Sequence, residues 1–297
     1  MSRGWDDERT PDVEQGPAVS RGSTGTEAPA HRPRAEEPRV ASPSTAALGR
    51  DPERARPIIW RDRAIELSAF ARDTLRTIGT FRTVAVADLG RAQYGGDLAR
   101  LARDLRPLFR QGWVVRHTLP GRHGGRAPAV LTLTRDGADV TRRHLAPPDQ
   151  TIQWGLVKPR EQEHDVALYR MAQAESGRIE RAGGTVRRVV LDAELKGAVA
   201  AQRNAPNAPP DPEPIARTLH LRVVDGAVQI PDLRLEYETR EGTVARVDLE
   251  LATEHYKPSQ VAAKAQAGFT IYAPASQTGR LSAALEERGI VAEILSL

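Results

Sequence analysis

The chain contains no cysteine among its 297 residues. That excludes disulfides, thiolate zinc sites and a cysteine nucleophile. No run approaches the roughly 18 apolar residues that a membrane span needs, and the N-terminus lacks the apolar core of a secretory signal. The expected location is therefore the cytoplasm, with no membrane partner. No internal repeat is visible. Lysine is scarce: Lys158, Lys196, Lys257 and Lys264 stand against 39 arginines. Such a bias reflects a GC-rich genome. Two lysines within eight positions, Lys257 and Lys264, therefore draw notice as places where an ammonium group was needed as such.

Net charge is +4, a mild balance that proves no partner. Its distribution says more. Arg61 to Leu145 holds sixteen arginines and eight acids, a net of +8, so the remainder sums to −4. A local basic excess is what a nucleic-acid-binding module shows. Residues 1–57 are rich in Pro, Gly, Ser, Arg and Glu, with scattered aliphatics. This composition buries too little surface to offset chain entropy and predicts a disordered tail.

Residues 58–146 read as the first folded unit. The spacing predicts a helix over Asp62–Ile78 stopped by Gly79, a short strand at Phe81–Ala85, and a helix over Ala87–Gln93 ended by Gly95-Gly96. Asp97 caps a third helix to Arg110, kinked or shortened by Pro107. Strands Trp113–Thr118 and Ala129–Leu133 flank a Gly- and Arg-rich hairpin, and Thr134 caps a last helix to His144. Three helices, a strand, a basic hairpin, a strand and a helix follow the order of a winged helix-turn-helix, whose third helix enters the major groove while the wing reaches phosphates. The expected partner is double-stranded DNA. The candidate contacts are Arg91, Gln93, Tyr94, Arg100 and Arg103 around the third helix, and Arg116, Arg122, His123 and Arg126 on the wing.

Residues 147–157 read as a linker and 158–297 as a second domain. A long helix over Arg160–Arg181 carries His164-Asp165, and Asp165 is a candidate metal ligand. A strand at Thr185–Leu191 follows, then a helix from Asp192 to about Gln202, a Pro-rich loop over Asn204–Pro214 and a strand at Leu219–Val224. Two strands then carry acids, Gln229–Glu238 and the run ending at Lys257, joined at Glu241-Gly242. Period-2 alternation puts Asp232, Arg234 and Glu236 on one side of the first strand, and Arg246, Asp248 and Glu250 on one side of the second. A helix over Pro258–Gln266, a strand at Phe269–Tyr272, a helix over Arg280–Arg288 and a strand at Ile290–Leu295 complete the chain. Glu254 and His255 fall just past the second acidic strand, and Tyr256 and Tyr272 read as packing residues.

Acids on neighbouring strands are either a solvated sheet face or a divalent-metal site. Pro231-Asp232, a gap of sixteen positions, then Asp248-Leu-Glu250 follow the nuclease pattern of Pro-Asp, a gap, and Asp/Glu-x-Lys. Hard oxygens hold Mg²⁺, the implied cofactor, with waters and a substrate phosphate completing the octahedron. The chain departs from the pattern where Lys is expected, since Glu250 stands there. With Glu250 as the motif acid, Ala252 occupies that position instead. Lys264 from the next helix is the replacement candidate and Lys257 the second. Alternatively the third acid takes the position, or the domain binds without cutting. The candidate catalytic set is Asp232, Asp248, Glu250 and Lys264; the candidate metal ligands are Asp232, Asp248, Glu250 and Asp165.

Several runs carry a family resemblance. They are Ile78-Gly-Thr-Phe-Arg-Thr-Val-Ala-Val-Ala-Asp-Leu89, Tyr94-Gly-Gly-Asp97, Arg103-Asp-Leu-Arg106, Leu131-Thr-Leu-Thr134, Lys158-Pro-Arg-Glu161, His164-Asp-Val-Ala-Leu-Tyr169 and the block from Pro231-Asp232 to Tyr272. Together they resemble the replication-relaxation family of plasmids and integrative mobile elements, over roughly Asp62 to Tyr272. The resemblance implies a winged helix joined to a restriction-endonuclease-like domain, and a role in plasmid replication or in DNA relaxation during transfer. The expected fold class is α+β, a winged helix-turn-helix followed by an α/β PD-(D/E)xK nuclease-like domain with a mixed sheet. The expected function is DNA binding on a mobile element, with Mg²⁺-dependent nicking or cleavage. The alternative is a non-catalytic regulator or accessory factor whose second domain forms a homodimer or recruits a partner.

Overall fold

The computed structural model describes residues 57–120, 127–253 and 256–297. The expected tail up to residue 56, the residues Arg122, His123 and Arg126 expected on a wing, and the pair Glu254 and His255 lie outside the described residues.

The first helix begins later than its apolar spacing suggests. Strands β1 (Ile58–Trp60) and β2 (Arg63–Ile65) form a hairpin. Its two turn residues, Arg61 and Asp62, take φ of 49° and 61°, the left-handed pair that matches the twist of a two-residue turn. Helix α1 (Ala69–Phe81) starts where the Ser68 hydroxyl accepts from the Ala71 N–H at 3.0 Å. It runs through Gly79, the expected stop. A Cβ on Gly79 would stand 2.8 Å from the Ile152 side chain, so glycine is required there for close packing rather than for termination.

Strand β3 (Val84–Ala85), helix α2 (Val86–Tyr94) and helix α3 (Leu98–Arg110) follow. Gly95, left-handed at φ 58°, ends α2, and Asp97 caps α3 by accepting from Arg100 N–H at 2.8 Å. Pro107 sits inside α3 without shortening it. Strands β4 (Val114–Thr118) and β5 (Ala129–Leu133) pair antiparallel, and β3 adds to β5, giving the order β3-β5-β4. Helix α4 (Arg135–His144) closes this region, capped by Thr134.

Residues 147–157, expected to be a linker, are packed against the body. Ile152 is buried, Gln153 N–H donates to Gly79 C=O at 2.7 Å, and the Gln150 amide clasps the Val189 backbone at 3.1 and 2.9 Å. Beyond them run α5 (Pro159–Arg181), β6 (Thr185–Leu191), α6 (Asp192–Arg203) and α7 (Glu213–Thr218). The small antiparallel pair β7 (Arg222–Val224) and β8 (Ala227–Gln229) comes next. The chain ends with β9 (Leu233–Glu238), β10 (Val244–Leu251), α8 (Pro258–Gln266), β11 (Thr270–Ala273), α9 (Ala275–Glu286) and β12 (Ile294–Ser296). The expected strand at Leu219–Val224 shortens because the Leu219, His220 and Leu221 N–H groups bond back to the Ile215, Arg217 and Ala216 carbonyls at the end of α7. The expected strand from Gln229 breaks at Ile230–Asp232, so β9 starts one residue after Asp232.

A five-stranded mixed sheet, order β12-β11-β10-β9-β6, forms the larger layer. β9 is antiparallel to both β6 and β10, while β10, β11 and β12 run parallel. Helix α8 provides the crossover between parallel β10 and β11. The fold is α+β with a mixed sheet, as the sequence implies. One apolar core serves both regions, from Leu75, Ile78 and Trp113 to Met171, Leu235 and Tyr272. Helix α5 joins them. Tyr169 meets Phe81 edge-on with ring centroids 5.1 Å apart, Arg170 donates to Asp88 at 2.6 Å, and Val166 is buried with Ala85, Leu119 and Val130.

Candidate functional site

The β9–β10 register places Asp248 opposite Arg234 and Arg246 opposite Glu236. Cross-strand neighbours on one face lie close enough for charges to pair, and they do. Arg234 grips both oxygens of Asp248, at 2.6 and 2.9 Å, and also donates to the Leu219 and His220 carbonyls. Arg246 meets Glu236 at 3.3 Å. Asp248, a candidate ligand from sequence, is thus the counter-ion of a buried arginine. Removing it would leave Arg234 charged and unpaired in the interior, a cost on the order of 3–5 kcal/mol. Alternation put Asp248 on the correct face; the opposing arginine changes its role.

Two residues further along, the strand end differs. Asp232 N–H donates to Glu250 Oε2 at 3.2 Å, and Leu251 N–H donates to Asp232 Oδ2 at 2.9 Å. The two acids are clasped where β9 begins and β10 ends. Lys264 reaches in from α8, its Nζ 3.1 Å from each Glu250 oxygen and 2.5 Å from the Ile230 carbonyl. The Tyr256 hydroxyl also donates to Glu250. From α5, His164 Nε2 lies 3.4 Å from Asp232 Oδ1. Lys257, the second lysine candidate, is exposed at the start of α8.

Electrostatics follow from this packing. Burial pushes the Glu250 carboxyl above the usual range, and the Asp232 charge adds to it, against Lys264 and Tyr256. Burial opposes charging of His164, but the Asp232 hydrogen bond and charge outweigh it, with Asp165 and Asp192 adding, and its pKa is raised. Asp165, a candidate ligand on the same helix, is pushed up to about 6, chiefly by burial, with Arg82 and His164 opposing. It is His164 rather than Asp165 that meets Asp232. Among the described residues no three His, Cys, Asp or Glu side chains assemble as a ready-made metal cage. Beside the site opens a cavity of about 860 Å³, bounded by His164, Leu251 and Thr253 on one side and by Leu119, Pro120 and Pro128 next to the ends of β4 and β5 on the other.

The candidate DNA face divides similarly. Arg91, Arg103 and Arg116 are exposed. Arg100 is exposed, but its guanidinium stacks over Phe70 at 3.7 Å from the ring centroid. Gln93 turns inward to Thr74 and Thr77, and the buried Tyr94 hydroxyl bonds Thr74 at 2.9 Å. Neither reaches a groove without unpacking α1 from α2, so both belong to the packing of the helices. Arg106 and Arg110, not among the sequence candidates, are also exposed on the Arg103 face of α3, as their i, i+3, i+7 spacing requires. Tyr256, read from the sequence as a packing residue, does pack beside Ala252 and Val261; its hydroxyl bond to Glu250 has no cue in the sequence.

No family model, no curated protein and no solved structure matches the chain. The resemblance to replication-relaxation proteins therefore rests on the quoted runs alone. Among the described residues no helix is long and apolar enough to cross a membrane.

Proposed function

We propose that the chain binds duplex DNA through α3 and the β4–β5 wing, and that Asp232, Glu250 and Lys264 form a Mg²⁺-dependent phosphodiester-cleaving site. The observation that carries the reading is the convergence of Asp232 just before β9, Glu250 on β10 and Lys264 on α8 at the open end of one hairpin. The element order supports it. Leaving out the α6–β8 excursion, α5-β6-β9-β10-α8-β11 is a helix, three strands, a helix and a strand in one mixed sheet, the order of restriction-endonuclease-like cores. Strand order β3-β5-β4 around α1–α3 is likewise that of a winged helix.

The residues fit a hard cation. Magnesium takes one or two carboxylates and fills its other positions with water and substrate phosphate. Asp232 and Glu250 are such a pair, and Asp232 keeps acceptor capacity beyond its Leu251 bond. A bound magnesium would supply Lewis-acid polarisation of the scissile phosphate and a more acidic water. The chain's own groups do the rest. Lys264 balances the two carboxylates and stands where the pattern needs an ammonium, supplied from α8 instead of the strand. His164 fixes the orientation of Asp232. Asp248 has no direct part. Placed on a plasmid or mobile element, as the resemblance implies, such a protein would act in replication, relaxation or transfer.

The test is conversion of supercoiled plasmid to nicked or linear product with Mg²⁺. Asp232→Asn and Lys264→Ala are expected to lower the rate at least about 100-fold while retaining duplex binding. Cleavage unchanged in both variants, or binding without cleavage under Mg²⁺ or Mn²⁺, would discard the catalytic reading; the second outcome leaves a DNA-binding accessory factor.

A further inference from the structure

We infer that Tyr256 sets how tightly this site takes a divalent cation, because its hydroxyl occupies a Glu250 oxygen that a cation needs. The inference rests on the metal-dependent reading above and extends it to a residue outside the nuclease pattern.

An ionised carboxylate has about four acceptor positions. On Glu250, Oε1 accepts from the Tyr256 hydroxyl and faces Lys264; Oε2 accepts from Asp232 N–H and Lys264. Three hydrogen bonds thus hold the carboxylate, and the Lys264 ammonium crowds the remaining side of Oε1 at 3.1 Å. Asp232 is less committed: Oδ2 takes the Leu251 N–H, and Oδ1 lies 3.4 Å from His164. A cation approaching from Asp232 can share Glu250 only if one donor leaves.

The three donors differ in how firmly they are held. Asp232 N–H belongs to the backbone at the start of β9. Lys264 is tied to the Ile230 carbonyl and lies 5.4 Å from the Phe269 ring centroid. Tyr256 stands between β10 and α8, anchored by its N–H to the Thr253 carbonyl at 3.0 Å, and its half-buried ring packs against the Ala252 and Val261 cluster. A rotation about its side chain moves the hydroxyl without breaking the sheet. Packing alone would be served by phenylalanine, so the hydroxyl is the part whose function needs an explanation. Tyr256 is therefore a positioning residue, acting on the cation through Glu250.

The experiment is a Mn²⁺ titration of the full chain, with free ion read by its paramagnetic resonance. Wild type, Tyr256→Phe, Tyr256→Leu and Asp232→Asn are compared, each first shown folded by thermal melting. Both tyrosine variants are expected to bind about tenfold more tightly, the size of one released hydrogen bond to a charged group, and Asp232→Asn to bind at least about tenfold more weakly. Tyrosine variants with equal or weaker affinity, alongside a weakened Asp232→Asn, would overturn the role of Tyr256 and leave the metal site standing. Mn²⁺ binding that is absent, or indifferent to Asp232→Asn, would overturn both. Should Tyr256→Phe fail to fold, the affinity of Tyr256→Leu decides between these outcomes.

Discussion

Asp248 and Glu250 sit two residues apart on one face of β10, yet one is neutralised by a bidentate arginine and the other shares its space with an acid, a lysine and a phenol. Alternation in the sequence supplies the shared face; it cannot say which acid meets an arginine, because that depends on the β9 register. Asp165 shows a second effect of surroundings. Its carboxyl, 3.8 when unperturbed, is pushed up to about 6 in the fold by burial first. Between those values the folded chain holds a proton that the unfolded chain releases. Stability therefore falls as pH rises through this window, since the unfolded state then binds fewer protons. Asp165→Asn removes the dependence. It should melt a few degrees above wild type near neutral pH, and the two curves should converge at about pH 4. A constant difference across that range, read by thermal melts at each pH, would show that Asp165 is not the titrating group.

At the level of elements, α3 carries the clearest claim. Leu101, Leu105 and Leu108 are buried, and the opposite face presents Arg103, Arg106 and Arg110. Each arginine that neutralises a phosphate contributes about 0.9 to the slope of log affinity against log salt. Replacing all three with alanine should flatten that slope by roughly 2.7, measured by duplex anisotropy between about 50 and 200 mM salt. An unchanged slope would place the DNA elsewhere. Most elements here were legible: Asp97 and Thr134 as caps, Gly95 past a helix end, and period-2 alternation along β9 and β10. The errors have physical causes. The β1–β2 hairpin turns on Arg61 and Asp62 in left-handed backbone, which neither residue advertises as glycine would. Gly79 reads as a stop, but the close approach of Ile152 decides its identity. The lysine of the site was recoverable from its scarcity, while the Tyr256 contact depends on the path of the chain between β10 and α8.

For the whole molecule, the question is whether the basic region and the acidic sheet act as one body. Tyr169 against Phe81, Arg170 against the buried Asp88, and Val166 buried with Ala85, Leu119 and Val130 tie α5 to the basic region. The same helix carries His164 to Asp232. A duplex seated on α3, as proposed, would then hold a fixed position relative to the acids, with the cavity between the ends of β4 and β5 and the hairpin as the space connecting them. Such shared packing predicts cooperative unfolding. Trp113 is fully buried and lies edge-on to Trp60, 6.2 Å away, so the fluorescence of this pair reports on the basic region, while Trp5 and the exposed Trp154 lie outside residues 58–146. Far-ultraviolet dichroism reports on all elements. The two melts should coincide, and Tyr169→Ala should lower both midpoints together, since it removes a fully buried ring at the junction at a cost of about 3–5 kcal/mol. A fluorescence transition that separates from the dichroism transition in the wild-type chain would show two independently folding halves. In that case the proposed DNA face and the acidic site would hold a fixed geometry only with a bound duplex to impose it.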